Sequence, residues 1–168
     1  GTKIDFYVIT DFDGFIPLID YFGGVSTTVE ENVADGFSGC YLNAGVHHIN
    51  GTQSLALSRA RHGRSLYGGG AYARERQSAM LLVDLLLQKR SMVNSGNLAN
   101  FLNTIGQFVW TNMSANQAAR ILPVLLSMNR NDITITTFRS WPQWFGNSSA
   151  VGYNVTEKNQ FFNHIVSQ

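Results

Sequence analysis

The sequence has little charge, three prolines and one cysteine in 168 residues. Charged residues make up 14% of the chain, well under the roughly 25% usual in soluble domains, and the net charge is +1. This charge gives no bulk attraction to nucleic acid or to an anionic membrane, so any charge-based function must depend on local clustering. Cys40, as the only cysteine, excludes an intrachain disulfide and a zinc site made of several cysteines.

Long apolar runs are also missing. No stretch of about eighteen apolar residues occurs, so we expect no bilayer-spanning helix, and membrane anchoring only through a segment outside this sequence. The apolar fraction of 44% and the aromatic fraction of 12% nevertheless exclude a disordered or low-complexity chain. No repeat, charged tail or linker interrupts the chain, so we expect one folded α/β domain over residues 1–168.

Periodicity and turn signals predict the elements of this domain. Alternating β-branched and aromatic residues predict strands at Ile4–Thr10, Val25–Val29 and Ile133–Phe138. Helical spacing and capping residues predict helices at Phe12–Phe22, Thr52–Arg61, Tyr72–Met92, Asn97–Trp110, Ser114–Met128 and Glu157–Val166. Glycine and asparagine turn signals predict a loop at Gly36–Gly51.

Charges are distributed unevenly along the chain. Seven acids and one lysine lie before residue 36, whereas five arginines and one glutamate lie between Arg59 and Arg76. Arg59 and Arg61 come near the predicted end of one helix, and Arg74 and Arg76 come at the predicted first turn of the next, where backbone N–H groups favour anions. Guanidinium groups bind phosphate in a forked geometry and keep their charge, so four converging arginines suit a pyrophosphate. The alternative is that these arginines are solvated or paired with the acids of the N-terminal third.

Other patterns indicate less specific chemistry. His47, His48 and His62 have no acid or cysteine at helical ligand spacing, which argues against a metal site built on them. The glycines at 68–70 lack the lysine and hydroxyl residue of a P-loop, which argues against a nucleoside triphosphate site. Aromatic stripes such as the one that contains Phe12 and Phe15 are typical of a core, although the lining of a tunnel for a hydrocarbon chain has the same pattern.

Several segments, in this order, resemble the LytR-CpsA-Psr family of bacterial envelope phosphotransferases. They are IDFYV at residues 4–8, DFDGF at 11–15, LIDYFGGV at 18–25, LNAG at 42–45, HING at 48–51, ALSRARH at 56–62 and YARERQ at 72–77. The resemblance covers most of the chain and is strongest up to Met80. It implies an α/β fold with a mixed central sheet flanked by helices, in which the family's earlier strands would precede this sequence.

The resemblance also implies a function. The family transfers a glycopolymer, such as a teichoic acid or a capsule polymer, from a polyprenyl-pyrophosphate carrier to cell-wall peptidoglycan at the outer face of the cytoplasmic membrane. Arg59, Arg61 and Arg74 would then be catalytic, and Arg76 and Gln77 would bind the pyrophosphate head group. The cofactor would be Mg²⁺, with its ligands outside this chain, and the lipid would lie in an apolar tunnel.

The sequence departs from the family pattern in two places. Ala71 stands where the family has an acid, and Gln77 stands where it has a second arginine. The family's Ser-Asp-Thr and Pro-Arg-Asp-Thr runs, which carry the metal-binding acids, have no counterpart here. Two alternatives to the enzyme therefore stay open, which are a non-catalytic polyprenyl-phosphate binding module and an envelope-related transcriptional attenuator. The net charge of +1 argues against the second.

Overall fold

The computed structural model describes residues 3–63, 65, 70–93, 97–136 and 140–166. It divides into a larger unit of residues 5–135 and a smaller unit of residues 1–4 with 136–168. The helices of the larger unit are α1 (Phe12–Tyr21), α2 (Gly51–Arg59), α3 (Gly70–Lys89), α4 (Leu98–Ile105) and α5 (Ala115–Ser127). Its strands are β1 (Val8–Ile9), β2 (Val25–Val29), β3 (Val33–Asp35), β4 (Cys40–Leu42), β5 (Gly45–Ile49) and β6 (Trp110–Thr111). The smaller unit contains β7 (Ser140–Phe145), β8 (Ser148–Tyr153) and α6 (Val155–Val166).

The predicted α/β class is confirmed, and the strands pair in an unexpected way. Instead of one mixed central sheet, the described strands form four antiparallel pairs, β1–β6, β2–β5, β3–β4 and β7–β8. Antiparallel neighbours can be joined by a tight turn, whereas parallel neighbours need a long crossover. The β3–β4 and β7–β8 hairpins use such turns, with Gly39 at φ 73° and Gly146 at φ 59°. The prediction of a single domain over residues 1–168 stays a prediction.

The first helix and the strand after it lie where the sequence predicts them. The carboxylate of Asp11 caps α1 by accepting a hydrogen bond from the N–H of Gly14 at 2.8 Å. The chain turns after α1 at Gly23 and Gly24, whose φ angles of 72° and 84° favour glycine. β2 follows this turn and is buried in the core. α1 therefore lies close to β2, the strand to which α3 is hydrogen-bonded.

The prediction of a loop over Gly36–Gly51 is wrong, because this segment contains β4 and β5. β5 pairs with β2 along its whole length, from Ile49 opposite Val25 to Gly45 opposite Val29. This pairing buries Ile49 and Val25 completely or nearly so. Pairing with a distant strand therefore outweighs the local turn signals, as is usual for β structure.

Both predicted ends of the helix at Thr52–Arg61 are wrong. Asn50 caps α2, because its side chain accepts from the N–H of Gln53 at 2.9 Å while the Gln53 side chain accepts from the N–H of Asn50 at 3.1 Å. The helix ends at Arg59, since the next residue is already extended. Arg61 therefore lies in the loop that follows α2.

α3 runs along β2 and is held to it by amide side chains. Gln77 Nε2 donates to the carbonyl oxygen of Thr28 at 3.0 Å. About three turns further along the same face of α3, the Gln88 amide forms hydrogen bonds with both the N–H and the carbonyl of Ser26, at 2.9 and 2.5 Å. Residue numbers rise along α3 while they fall along β2, so the two elements are antiparallel. These hydrogen bonds determine which side of α3 packs against β2 and which side stays accessible.

The core of the larger unit lies between α1, α2, α3 and the strand pairs β2–β5 and β3–β4. It consists of Ile19, Phe22, Val25, Val29, Val33, Cys40, Ile49, Leu57, Ala60, Leu81 and Leu85. α1, α2 and α3 all pack against this core. The ends of these helices that do not enter the core are therefore held at fixed positions around it.

The remaining predictions have mixed outcomes. The helices predicted at Ser114–Met128 and Glu157–Val166 are confirmed as α5 and α6. Of the strand predicted at Ile4–Thr10, the two residues of β1 form a strand, because β6, with which β1 pairs, is also two residues long. α4 ends before Gly106 rather than at Trp110. Residues 133–136 form no strand, and Phe138 lies outside the described residues. Among the residues that the structure describes, every helix is too short or too polar to span a bilayer.

Gly51→Ala should destabilise the larger unit, because Gly51 is the point at which α2 touches α1. A Cβ there would lie 2.8 Å from the carbonyl carbon of Ile16 and closer still to its oxygen, and backbone atoms cannot rotate away. We expect a loss of about 1–3 kcal/mol or more in the free energy of unfolding, measured by urea denaturation. Gly36→Ala is the matched control, because its Cβ would meet only the Tyr41 hydroxyl at 3.2 Å, and it should change stability by less than about 0.5 kcal/mol. Equal stability of the two variants would contradict this packing.

Candidate functional site

An open cleft of about 450 Å³ lies where four segments of the larger unit meet. The start of α1, the turn after β3, the end of α2 with its following loop, and α3 all contribute to it. The lining residues are Phe12, Asp35, Phe37, Ser38, Ser58, Arg59, Arg61, His62 and Arg74. Seven of these nine residues are polar or charged, and the other two are phenylalanines.

The structure brings three of the predicted arginines into this cleft. Arg59 is the last residue of α2, and its guanidinium carbon lies 4.8 Å from the centre of the Phe12 ring. Arg61 follows in the loop, so helical geometry does not force it away from Arg59. Arg74 approaches from α3. These three arginines line one open space, so their positive charges favour anions there, and the Arg74 guanidinium also lies 3.7 Å from the carboxylate of Glu75.

Arg76 and Gln77 are placed differently. α3 begins at Gly70, so Arg74 and Arg76 lie beyond its first turn, and the predicted assistance from the N–H groups of a helix terminus is wrong. Arg76 lies about 200° around the helix from Arg74 and forms a forked ion pair with Glu30 at 3.2 and 3.3 Å. Neither Arg76 nor Gln77 is among the described lining residues, and their predicted contact with a head group stays a prediction. The fifth arginine of the sequence cluster, at position 64, lies outside the described residues.

Asp35 is the buried carboxylate of the cleft wall, with 1% of its surface exposed. Its Oδ1 accepts from the N–H groups of Phe37 and Ser38 at 2.9 and 3.3 Å, and its Oδ2 accepts from those of Arg61 and His62 at 2.7 and 3.0 Å. The His62 N–H contributes most to lowering the pKa of Asp35 well below its ordinary value of 3.8; burial opposes this effect, and the other three N–H groups add to it. Asp35 therefore stays ionised and ties the loop after α2 to the turn after β3.

The His62 ring lies against the same carboxylate. Its Nδ1 is 3.3 Å from both oxygens of Asp35, and its ring centre is 4.5 Å from that of Phe37 with a tilt of 34°. The side chain of His62 nevertheless remains 60% exposed. The ring is thus in contact with Asp35 and Phe37, while more than half of the side chain stays accessible in a residue that lines the cleft.

The sequence analysis did not single out Asp35, Phe12 or Phe37 as site residues. Asp35 and Gly36 form a recognisable turn signal, but nothing local reveals that Asp35 also binds the loop after α2. The assignment of Phe12 to a core stripe is wrong, because its side chain is 54% exposed and faces the Arg59 guanidinium. Only the later part of α1 enters the core, so a helical apolar stripe alone does not show where burial stops.

The other histidines make hydrogen bonds within the protein. His47 Nε2 lies 2.8 Å from the carbonyl oxygen of Asn43. His48 uses Nδ1 on the Ser26 hydroxyl and Nε2 on the carbonyl of Gly23, each at 3.0 Å. Throughout the part of the chain that the structure describes, no group of three His, Cys, Asp or Glu side chains is arranged to hold a metal ion.

Comparison with known proteins identifies the family of this chain. The profile of the LytR_cpsA_psr family matches residues 1–166. The chain belongs to the LytR_cpsA_psr family. A curated relative is the polyisoprenyl-teichoic acid–peptidoglycan teichoic acid transferase TagV of Bacillus subtilis (strain 168), which is 30% identical over 101 residues. That match covers 57% of this chain and 26% of TagV, so the chain spans about a quarter of that relative's length.

Solved structures share the fold of this LytR_cpsA_psr chain. The crystal structure of B. subtilis TagV has a TM-score of 0.76 at 20% identity and is matched over 96% of this chain and 63% of that one. A LytR-Csp2A-Psr enzyme from Actinomyces oris has a TM-score of 0.71 at 25% identity, with 96% and 64% coverage. TagT bound to LI-WTA has a TM-score of 0.71 at 16% identity, with 96% and 60% coverage. The α/β fold class expected from the resemblance is therefore confirmed, with antiparallel strand pairs among the described residues in place of one mixed sheet.

Asp35→Asn should destabilise the protein in a pH-dependent way. Because the pKa of Asp35 is lowered on folding, its ionised carboxylate stabilises the folded state above the ordinary value of 3.8, and this stabilisation is lost as the pH falls through the folded pKa. The difference in free energy of unfolding between wild type and variant should be constant from about pH 5 to 7 and shrink below about pH 4. Urea denaturation across this range measures it. Asp13→Asn, at an exposed acid in α1, is the control. A difference that grows as the pH falls would contradict the assigned role.

Proposed function

We propose that this chain is the phosphate-binding part of a phosphotransferase that moves a glycopolymer from a polyprenyl-pyrophosphate carrier to cell-wall peptidoglycan. The observation that carries the proposal is the single cleft lined by Arg59, Arg61 and Arg74. The names of two relatives support the substrate class, since TagV is named as a teichoic acid transferase acting on peptidoglycan and TagT is described with bound LI-WTA. A teichoic acid or a capsule polymer is accordingly the glycopolymer that we propose.

A pyrophosphate suits the cleft in charge and in geometry. Each guanidinium offers forked N–H donors to phosphate oxygens and keeps its charge at all physiological pH values. Asp35 competes little for these arginines, because backbone N–H groups already occupy both of its oxygens. Phosphoryl transfer depends on alignment and charge neutralisation more than on a covalent nucleophile. Arg59, Arg61 and Arg74 would therefore hold the two phosphates and stabilise the charge that develops as the bridging bond breaks.

Apolar surface lies beside the phosphate-binding groups. Phe12 and Phe37 both line the cleft, and they are 54% and 83% exposed. Exposed rings next to a cationic site offer contact area for the first isoprene units of a polyprenyl carrier. Because the carrier and the peptidoglycan acceptor meet at the outer face of the cytoplasmic membrane, we propose that location for the protein, with anchoring through a segment outside residues 1–168.

Mg²⁺, the cofactor implied by the family, does not fit the described residues of this chain. Asp35 is the acid that lines the cleft, and its two oxygens accept four backbone N–H groups. Mg²⁺ prefers carboxylate and phosphate oxygens in an octahedral arrangement. The proposed transfer step therefore rests on the arginines, and any Mg²⁺ would need ligands from the substrate phosphates or from a part of the protein outside this chain.

Replacing the cleft arginines should weaken binding of a prenyl pyrophosphate. A charge-assisted hydrogen bond contributes about 1.5–3 kcal/mol, so Arg59→Ala and Arg61→Ala should each raise the Kd for farnesyl pyrophosphate about 10-fold to 100-fold. Isothermal titration calorimetry measures this. Arg120→Ala is the matched control, because Arg120 is exposed on α5, and it should change the Kd less than about 2-fold.

Two results would change the proposal. Equal Kd values for wild type, Arg59→Ala and Arg61→Ala would show that the cleft does not bind the head group. Binding that depends on these arginines, without transfer to a peptidoglycan fragment by the complete natural protein, would favour the non-catalytic lipid-phosphate binding module instead.

A further inference from the structure

A transferase of this kind needs a group that removes the proton from the attacking hydroxyl. Guanidinium groups keep their proton and cannot serve. Asp35 is a poor base, because its pKa is lowered and both of its oxygens already accept N–H groups. The hydroxyls of Ser38 and Ser58 would themselves need a base to become reactive. Imidazole exchanges a proton near neutral pH, and His62 is the residue with an imidazole among the described lining residues.

The contacts around His62 leave one of its ring nitrogens able to accept a proton. An ionised carboxylate can only accept hydrogen bonds, so the Nδ1 that faces Asp35 at 3.3 Å carries the hydrogen. The other nitrogen, Nε2, then keeps its lone pair. Phe37 stacks on the ring at 4.5 Å, while the side chain stays 60% exposed. Gly63, with φ 66°, lets the chain turn immediately after this residue.

We propose that His62 is the general base of the transfer and that Asp35 is its positioning residue; this inference rests on the function proposed above. Nε2 of His62 takes the proton of an acceptor hydroxyl on peptidoglycan. The hydroxyl oxygen forms a bond to the phosphorus that carries the glycopolymer. The bond from that phosphorus to the bridging oxygen breaks, and its electron pair leaves with the polyprenyl monophosphate. The proton on His62 is then returned to solvent or to the departing phosphate.

The charged groups around the ring come from three elements and their loops. The carboxylate of Asp35 lies against Nδ1 of His62, and Arg59, Arg61 and Arg74 line the same cleft. A donor pyrophosphate held by these arginines would therefore lie in the cleft that the His62 ring lines.

His62→Gln in the complete natural protein tests this inference. Transfer is followed with a farnesyl-pyrophosphoryl disaccharide and a soluble peptidoglycan fragment, with release of farnesyl phosphate measured by phosphorus NMR. We expect kcat to fall about 10²-fold to 10⁴-fold. The Kd for farnesyl pyrophosphate should change less than about 3-fold, because glutamine keeps the size of the side chain and removes no fixed charge. The acid limb of kcat/KM against pH should disappear, a change that a purely structural role would not cause.

A control and a second measurement complete the test. His47→Gln, in β5 and away from the cleft lining, should leave both rate and affinity unchanged. Nitrogen NMR of the wild-type histidines should show His62 as the Nδ1–H tautomer, whether or not any variant folds. A full transfer rate in His62→Gln, or an Nε2–H tautomer in the wild type, would overturn the inference while the arginine results still support the proposed function. Absence of both binding and transfer in the wild type would overturn the two together.

Discussion

The carboxylate of Asp35 joins two segments that lie 26 residues apart in the chain, the turn after β3 and the loop after α2. Four backbone N–H groups from these segments converge on its two oxygens in a site that excludes water. If either segment moved away, a buried charge would lose its partners, which is among the most costly changes a folded protein can undergo. The positions of Arg61 and His62 in the cleft follow from this constraint, because both residues donate to Asp35 through their own backbones.

The second arginine-bearing element is held by a different kind of contact. α3 is attached to β2 through Gln77, and Arg76 pairs with Glu30 on the segment that follows β2. A helix turns by about 100° per residue, so side chains two positions apart point in nearly opposite directions. For this reason one short motif, YARERQ, supplies both the docking contacts of α3 and, through Arg74, one wall of the cleft. Docking and binding are thus divided between neighbouring residues of the same helix.

Local patterns predicted much of the secondary structure, because their physical cause is local. α1, α3, α5 and β2 follow from helical spacing, capping side chains and the glycine pair that ends α1. The errors have a common cause as well. The segment Gly36–Gly51 carries turn residues yet forms two strands, because β5 finds its hydrogen-bond partners in β2, more than fifteen residues earlier in the chain. A β-strand forms only where another strand is available to pair with it, and a single sequence does not show which segment that other strand is.

The sequence by itself determined the α/β class, the clustering of arginine between residues 59 and 76, and the motif order that resembles one family, since all of these are properties of composition and spacing. Only the tertiary structure decided which arginines line the cleft, that the buried Asp35 joins two segments of its wall, and that Nδ1 of His62 lies against the Asp35 carboxylate. The reason is geometric. Convergence depends on where helices end and how they pack against distant strands, and these contacts join residues whose separation along the chain carries no periodic signal.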